Sequence, residues 1–224
     1  MDYAKQIAIA SLNIEAIKLN LAYPFTWASG LRMPIYNDNR KFLFYPEYRK
    51  LIVESFEEIL KLERIDCDVI AGTSTAGISP ATTLADILKK PLIYIRNEPK
   101  DHGLKNQIEG IGAESDLKDK TVILVEDLIS TGGSSASAVK VIRDANGKCN
   151  YCISIFNYGL NKAVETFNSL DPACEVRSLL TYDKLLEVAK ETGQINEDQV
   201  KMLSEWRADP FNWGEKQGFK RVEE

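Results

Sequence analysis

The chain has 224 residues, of which 44% are hydrophobic and 27% are charged, and its formal net charge at pH 7 is −5. This composition is typical of a globular protein, and the negative charge argues against a general nucleic-acid-binding role, which needs a basic surface. No apolar run approaches the roughly 18 residues that span a bilayer, and the N-terminus lacks the pattern of a signal peptide, so we expect a cytoplasmic protein that binds no membrane.

The N-terminal segment predicts an amphipathic helix followed by a region rich in turns. The helix would end before Pro24, and residues 24–42 are dense in Pro, Gly, Ser, Asn and aromatic residues. Pro46 is a suitable first residue for a second amphipathic helix. Five apolar residues are spaced for one face of the first helix: Ile7, Ala10, Ile14, Ile17 and Leu21.

From Cys67 onward, short β-rich runs alternate with helical segments. Near-continuous apolar strands that alternate with helices predict an α/β fold, an open and mainly parallel sheet with helices on both faces. Ligands of such sheets bind beyond the carboxyl ends of the strands. The tail predicts two helices broken near Gly193, with Asn196 as an N-cap. The runs are DVIAG, PLIYIR, TVILVED, YCISIF and VRSLL, and the helices fall near 78–89, 134–145 and 161–169.

The four cysteines do not form a metal-binding pattern. Cys149 and Cys152 make a C-x-x-C pair, but no second pair of ligands accompanies them. A separation of three residues on a strand predicts that the two side chains point to opposite faces. We interpret these residues, with Cys67 and Cys174, as ordinary buried thiols in a reducing cytoplasm.

Residues 121–139, TVILVEDLISTGGSSASAV, place two carboxylates beside a loop suited to an anion. Residues 122–125 predict a buried strand with Glu126 and Asp127 at its carboxyl end, and a tight turn at 130–134 leads into a helix. The backbone N–H groups of such a turn suit a phosphate, although the lysine of a P-loop is missing. Carboxylates accept hydrogen bonds from ribose hydroxyls and also help to hold Mg²⁺. A ribose 5-phosphate would satisfy both features.

For the acids alone, a solvated acidic strand end before a Gly-rich turn is the favoured explanation. The acids, spacing and loop together resemble the signature of the type I phosphoribosyltransferases, which bind phosphoribosyl pyrophosphate (PRPP). The resemblance implies that Glu126 and Asp127 bind the ribose hydroxyls, and it does not name the base. It also implies that five residues hold the 5′-phosphate: Ser130, Thr131, Gly132, Gly133 and Ser134.

The polar connection that begins RNEPKDHG carries the only histidine of the chain and a positive face made by Arg96, Lys100, His102 and Lys105. Long loops in compact domains are usually lids or binding loops, although a solvated loop with an incidental histidine is the alternative. The segment resembles the mobile catalytic loop of the orotate phosphoribosyltransferases, with Asn97 where that family usually has lysine. The resemblance implies pyrophosphate contacts from Arg96, Lys100 and His102, and a homodimer with shared active sites.

Residues 25–36, FTWASGLRMPIY, are similar to the N-terminal orotate-binding motif of the same family. The resemblance implies that orotate is contacted by Phe25, Ser29, Gly30, Thr131 and Asn157. An aromatic-rich structural turn is the alternative for Phe25. Some members carry a lysine where this chain has Ala28, and many supply an arginine near Asn157.

The loop at 71–80, AGTSTAGISP, lies between a predicted strand and a predicted helix. Small and hydroxyl-bearing residues there suit an oxyanion held by backbone amides. The loop resembles the pyrophosphate loop of the family, which implies that Thr75 and Ala76 contact PRPP. Ala76 replaces a lysine found in some relatives.

Together, these resemblances imply a single phosphoribosyltransferase domain over residues 1–224. A small N-terminal hood would occupy about 1–45, the α/β core 46–180 and a helical tail 181–224. The implied reaction is transfer of ribose 5-phosphate from PRPP to orotate in pyrimidine biosynthesis, with Mg²⁺ bound through PRPP. A type I enzyme for another base and a non-catalytic PRPP sensor remain alternatives. The implied catalytic residues are Asp127, Lys100, His102 and Arg96.

Overall fold

The computed structural model describes residues 2–27, 29–98, 107–112 and 116–222. They form two compact units. One is contiguous, Pro46–Leu179, and the other combines Met1–Tyr45 with Leu180–Glu224. None of the helices in these ranges combines the length and apolar character needed to cross a membrane.

Eight α-helices and ten strands occur in the described ranges, with a 3₁₀ helix at Asn39–Phe44. The helices are α1 (Tyr3–Asn13), α2 (Pro46–Leu62), α3 (Ile78–Leu88), α4 (Gly133–Asp144), α5 (Asn161–Asn168), α6 (Tyr182–Glu191), α7 (Glu197–Ala208) and α8 (Trp213–Lys216). The strands are β1 (Ile17–Leu19), β2 (Phe25–Thr26), β3 (Arg32–Met33), β4 (Ile35–Asn37), β5 (Val69–Thr73), β6 (Leu92–Ile95), β7 (Ile108–Glu109), β8 (Thr121–Ile129), β9 (Lys148–Asn157) and β10 (Glu175–Thr181).

The contiguous unit is built on a six-stranded sheet in the order β10-β9-β8-β5-β6-β7. β5 pairs in parallel with β6 and β8, β8 pairs in parallel with β9, and β7 is antiparallel to β6. All residues of β8 from Val122 to Val125 are buried. Because consecutive residues of a strand point to opposite faces, both faces of the sheet are covered here, as expected when helices pack on both sides. The predicted open, mainly parallel α/β sheet is confirmed.

A β-bulge in β9 changes which way two cysteines point. Between Thr121 and Ile123 of β8, the paired stretch of β9 contains one extra residue. The extra residue shifts the alternation of side chains along the strand. Cys149 and Cys152 therefore lie with Cys174 in one buried apolar cluster, and the prediction of opposite faces is wrong. All four cysteines are buried and free, as predicted.

The first helix is shorter than its apolar spacing predicts. It ends at Asn13, and Glu15 then takes a left-handed conformation with φ 56°, which α-helices do not continue through. Residues Ile17–Leu19 form β1, which pairs antiparallel with β4. The helical prediction beyond Asn13 is wrong because local apolar spacing does not report strand pairing with a later segment.

The two chain ends share a core within their unit. Trp206 of α7 is fully buried, with its ring centroid 6.3 Å from Trp27 and 5.3 Å from Tyr182. The indole N–H of Trp206 donates to the sulfur of Met33 at 3.1 Å. The predicted N-cap of α7 is confirmed, since Asn196 forms a reciprocal capping box with the third helical residue. The short helix α8 was not predicted.

Candidate active site

Strand β8 continues through both acids. The register pairs Glu126 with Ser154 and Ile129 with Asn157, so the strand ends at Ile129. The strand continues two residues beyond the predicted run TVILVED, because pairing with β9 extends β8 to Ile129. Consecutive residues of a strand point to opposite faces, so Glu126 and Asp127 face different surroundings.

The phosphate loop, residues 130–134, joins β8 to α4. Gly132 has φ +79°, a conformation that favours glycine, and no side chain caps the helix that starts at Gly133. A β-carbon at Gly132 would lie 2.9 Å from the ring of Phe167, whereas no described atom lies within 4 Å of one at Gly133. The first N–H groups of a helix have no partner within the helix, and since no side chain caps α4 they suit an anion.

Glu126 is buried and its carboxylate accepts hydrogen bonds from protein groups. Oε1 accepts from Thr73 Oγ1 at 2.7 Å and from the backbone N–H of Asp127 at 3.0 Å. Oε2 accepts from Ser135 Oγ at 2.9 Å. Glu126 therefore ties the end of β5 to the first turns of α4. Its predicted contact with ribose hydroxyls stays a prediction.

Asp127 is half-buried beside this carboxylate. Burial, the negative charge of Glu126 and a hydrogen bond with that residue raise the pKa of Asp127 to about 7. Near neutral pH the Asp127 carboxyl is therefore partly protonated. A cation or a hydrogen-bond donor bound there would favour the ionised form.

The turn between β5 and α3 holds the two residues predicted to contact pyrophosphate. Thr75 is exposed and Ala76 is half-buried, and the peptide bond between Ser74 and Thr75 is cis. A β-carbon at Gly77 would collide with the Thr73 hydroxyl and lie 2.6 Å from the Val125 carbonyl oxygen. Gly77 thus lets this turn approach β8 closely, and no side chain caps α3.

Arg96 lies at the base of the polar loop. Its backbone N–H donates to the carbonyl of Gln107 at 2.9 Å, and its guanidinium forms an ion pair with Glu109 at 3.4 Å. Those contacts continue the antiparallel pairing of β6 with β7. The predicted residues Lys100 and His102 lie outside the described residues, as does Lys105.

A cleft of about 130 Å³ opens between this loop base and α4, and we call it the α4 cleft. It brings together two of the predicted PRPP residues, Arg96 and Ser134. A cation beside a helix N-terminus is an arrangement that binds phosphate groups. The cleft is lined by Thr73, Ile95, Arg96, Asn97, Ser134, Ser137 and Ala138.

The predicted base-binding residues divide between the two units. Phe25 lies in β2, with its ring 5.8 Å from that of Tyr36, and Gly30 has φ +76°. The carbonyl oxygen of Ser29 accepts from the Arg221 guanidinium at 2.8 Å, and that of Gly30 accepts from the Val222 N–H at 3.0 Å. The C-terminal segment thus contacts this motif.

Thr131 and Asn157, the other two predicted base contacts, belong to the contiguous unit. Thr131 is half-buried in the phosphate loop. Asn157 is the last residue of β9 and pairs with Ile129, two positions before Thr131. Its side-chain oxygen accepts from the N–H of Gly159 at 2.8 Å.

Among the described residues, the candidate site offers too few ligands to hold a metal ion by itself. Within the described ranges, no group of three or more His, Cys, Asp or Glu side chains is placed to hold one. Mg²⁺ usually keeps several waters and is held by one or two carboxylates together with substrate phosphates. Asp127, near the α4 N-terminus, fits a Mg²⁺ ion that binds together with a phosphate.

Thr73, Ser135 and Ser137 were not selected from the sequence. Thr73 and Ser135 hold Glu126, and Ser137 lines the α4 cleft. Each carries a hydroxyl within or next to a loop that the motifs had already marked. Their roles depend on the approach of β5 to α4, which local sequence patterns do not report.

A model of the phosphoribosyl transferase domain family matches residues 43–179. A protein named orotate phosphoribosyltransferase from Lactococcus lactis subsp. lactis (strain IL1403) is 42% identical over 213 residues, which are 95% of this chain and 99% of the relative. A protein of the same name from Listeria monocytogenes serotype 4b (strain F2365) is 40% identical over 214 residues, covering 96% of this chain and all of the relative.

Solved structures give the same fold. Orotate phosphoribosyltransferase from Aeropyrum pernix matches 85% of this chain and 99% of its own, with a TM-score of 0.69 and 23% identity. The Mycobacterium tuberculosis H37Rv orotate phosphoribosyltransferase in complex with PRPP matches 83% of this chain and 99% of its own, with a TM-score of 0.61 and 22% identity. From the family match and these nearly full-length relatives, the chain belongs to the orotate phosphoribosyltransferases, a family of type I phosphoribosyltransferases.

Proposed function

We propose that this protein transfers ribose 5-phosphate from PRPP to orotate, which yields orotidine 5′-monophosphate and pyrophosphate for pyrimidine synthesis. The observation that carries the proposal is the uncapped N-terminus of α4, which begins at Gly133, six residues after the partly protonated Asp127. The helix end suits the 5′-phosphate, and the carboxylate suits the ribose hydroxyls or a Mg²⁺ ion.

The reaction needs positioning and electrostatic stabilisation more than acid–base chemistry. Cleavage of the bond at C1′ leaves positive charge on the ribose and negative charge on pyrophosphate. Residues 130–134 would fix the 5′-phosphate and Asp127 the ribose, so that orotate meets C1′ in a reactive geometry. Arg96, with Lys100 and His102, would stabilise the charge that develops on pyrophosphate.

Two further groups of contacts complete the proposed site. Thr75 and Ala76 would offer backbone N–H groups to pyrophosphate. Mg²⁺, held by Asp127 and the phosphates, would neutralise part of the negative charge of PRPP. Orotate would be contacted by Phe25, Ser29, Gly30, Thr131 and Asn157.

An absorbance assay tests this function. Purified protein is mixed with orotate, PRPP and Mg²⁺, and the ultraviolet absorbance of orotate is followed. We expect turnover with orotate and none when uracil, adenine or hypoxanthine replaces it. Binding of PRPP without turnover of any base would contradict catalysis and favour a PRPP sensor.

We also propose that the protein is a cytoplasmic homodimer in which the loop of one subunit completes the site of the other. Two variants that are each inactive would then complement each other. We expect Asp127→Asn mixed with Lys100→Ala, after subunit exchange, to regain activity, because a mixed dimer has one site with both native residues. A mixture as inactive as its components would contradict shared sites.

A further inference from the structure

The last described residues of the chain lie against the predicted base-binding motif. We call residues 213–222 the C-terminal strap, which starts with α8 and belongs to the same unit as the motif. A β-carbon at Gly214 would lie 2.8 Å from the carbonyl oxygen of Arg32, so the missing side chain lets α8 pack closely on β3. Trp213 is buried and stacks on Phe219, with ring centroids 6.1 Å apart. The strap is therefore anchored at its start by backbone packing and in its middle by stacked rings.

The end of the strap holds two carbonyl groups of the motif. The guanidinium of Arg221 donates to the carbonyl oxygen of Ser29, from Nε at 3.1 Å and from Nη2 at 2.8 Å. The N–H of Val222 donates to the carbonyl oxygen of Gly30 at 3.0 Å. A β-carbon at Gly30 would collide with the carbonyl oxygen of Val222, so only glycine allows this approach of the two backbones. The strap thus fixes the Ser29–Gly30 segment through one guanidinium and one backbone contact.

The same contacts leave hydrogen-bond donors of the motif open. The N–H of Gly30 donates to the carbonyl of Trp27 at 2.8 Å, so this amide is used within the loop. Ser29 is exposed, and among the described residues its N–H and its hydroxyl have no hydrogen-bond partner. Orotate carries carbonyl and carboxylate oxygens, which accept hydrogen bonds. The strap therefore occupies the acceptors of this loop and leaves the donors that a ligand of this kind needs.

The end of the strap contributes little to the stability of the fold. Arg221 and Val222 are both exposed. Hydrogen bonds at exposed positions replace bonds to water, so the net gain from each is small. A loop that is already held in its bound conformation, by contrast, loses less conformational freedom when a ligand binds. The contacts of the strap therefore act mainly on the conformation of the motif.

We propose that the C-terminal strap is a positioning element for the base, with Arg221 as its positioning residue. By holding the carbonyl groups of Ser29 and Gly30, the strap keeps the N–H and hydroxyl of Ser29 in the orientation that receives the oxygens of orotate. This inference rests on the proposed function. Residues 130–134, proposed to hold the 5′-phosphate, belong to the contiguous unit, so the strap should affect the binding of orotate and not that of PRPP.

Steady-state kinetics of Arg221→Ala tests this role. We expect the KM for orotate, measured at saturating PRPP, to rise at least about fivefold, and the KM for PRPP to change by less than about twofold. A lysine keeps a single donor group for the Ser29 carbonyl, so Arg221→Lys should restore part of the loss. Lys220→Ala is the matched control and should behave like the parent protein, because exposed Lys220 makes no hydrogen bond or ion pair with the described residues.

An unchanged KM for orotate in Arg221→Ala would overturn the proposal. Equal rises in the two KM values, or the same rise in Lys220→Ala, would also overturn it, because a general loss of structure or of surface charge would then be the cause. Val222→Pro removes the N–H that donates to the Gly30 carbonyl and keeps Arg221. We expect this variant to raise the KM for orotate in the same selective way, which keeps the test open if Arg221→Ala fails to fold.

Calorimetric titration with orotate separates a failure of this inference from a failure of the proposed function. The titration measures binding without turnover, with pyrophosphate present in place of PRPP. We expect the parent protein to bind orotate at least about fivefold more tightly than Arg221→Ala does. Equal binding by the two proteins, with turnover by the parent, would refute the role of the strap alone. A parent protein that neither binds orotate nor turns it over would refute both.

Discussion

Glu126 and Asp127 show how neighbouring residues with the same charge take different tasks. The Glu126 carboxylate accepts hydrogen bonds from Thr73, Ser135 and a backbone N–H, so it serves to hold β5 and α4 together. Asp127 lies beside this negative charge and its pKa is about 7. Part of the strain between the two carboxylates is relieved when a ligand supplies positive charge or hydrogen-bond donors to Asp127.

The raised pKa of Asp127 predicts a stability effect with a definite pH dependence. Its ordinary pKa of 3.8 applies in the unfolded chain, so between pH 3.8 and about 7 the folded protein binds more protons. The contribution of Asp127 to stability is present below pH 3.8 and is lost as the pH rises through 7. We therefore expect Asp127→Asn to stabilise the protein at pH 8, by on the order of 2 kcal/mol, and to change little at pH 4.

Thermal unfolding at pH 4 and pH 8 measures this difference in stability, and steady-state kinetics measures the accompanying loss of activity. We expect kcat of Asp127→Asn to fall at least about a hundredfold, since Asp127 is proposed to touch the ribose. An equal gain in Tm at pH 4 and pH 8 would show that ionisation of Asp127 is not the cause. Normal kcat would contradict the ribose contact.

The Thr73 hydroxyl provides a second test at single-residue resolution. Thr73→Val keeps the shape of the side chain but removes a donor to buried Glu126, which should lower the free energy of unfolding by about 1–3 kcal/mol. Thr82→Val is a suitable control, because the Thr82 hydroxyl only donates to a carbonyl of its own helix, at 2.8 Å. Urea unfolding of the two variants compares these losses. Equal losses would mean that the hydrogen bond to Glu126 stabilises the fold no more than the hydrogen bond within α3.

At the scale of elements, the junction of β8 and α4 determines how the phosphate loop is presented. The strand must end at Ile129 and the helix start at Gly133, so three residues reverse the chain. Gly132 makes this possible through its positive φ and through its close approach to Phe167 of α5. Phe167 of α5 therefore packs against the loop at Gly132 and supports it there.

We expect alanine substitutions at the two adjacent glycines of this junction to differ in their effects on stability. Gly132→Ala should lower the free energy of unfolding by about 1–3 kcal/mol and raise the KM for PRPP. An alanine residue is strained at this positive φ, and its methyl group would meet the Phe167 ring. Gly133→Ala, where no described atom would be met within 4 Å, should change stability by less than about 0.5 kcal/mol. Chemical denaturation and PRPP titrations check both. Similar destabilisation by the two changes would contradict the contact with Phe167.

Across the whole molecule, local sequence patterns predicted the elements whose formation depends on nearby residues. The strands and helices of the core followed from short apolar runs and their spacing, and Asn196 was identified because capping is a local interaction. The phosphate loop was found for the same reason, since its glycines and hydroxyls lie within a few residues of each other.

Features that depend on distant parts of the chain were missed. The β9 bulge arises from its register with β8, and the Glu126 network requires Thr73, 53 residues earlier. The contact between Arg221 and Ser29 joins residues 192 positions apart. No periodicity within one segment reports such pairings, so these parts of the site needed the structure.

The unit that combines both chain ends has a consequence for biosynthesis. Residues 46–179 are contiguous and can fold as soon as they leave the ribosome, whereas α1 must wait for α6, which is made much later. Until then, the apolar residues Ile7 and Leu12, which are buried in the finished protein, have no partner helix. We expect a nascent chain stalled before residue 180 to bind chaperones through this first segment, and to release them once the tail is complete.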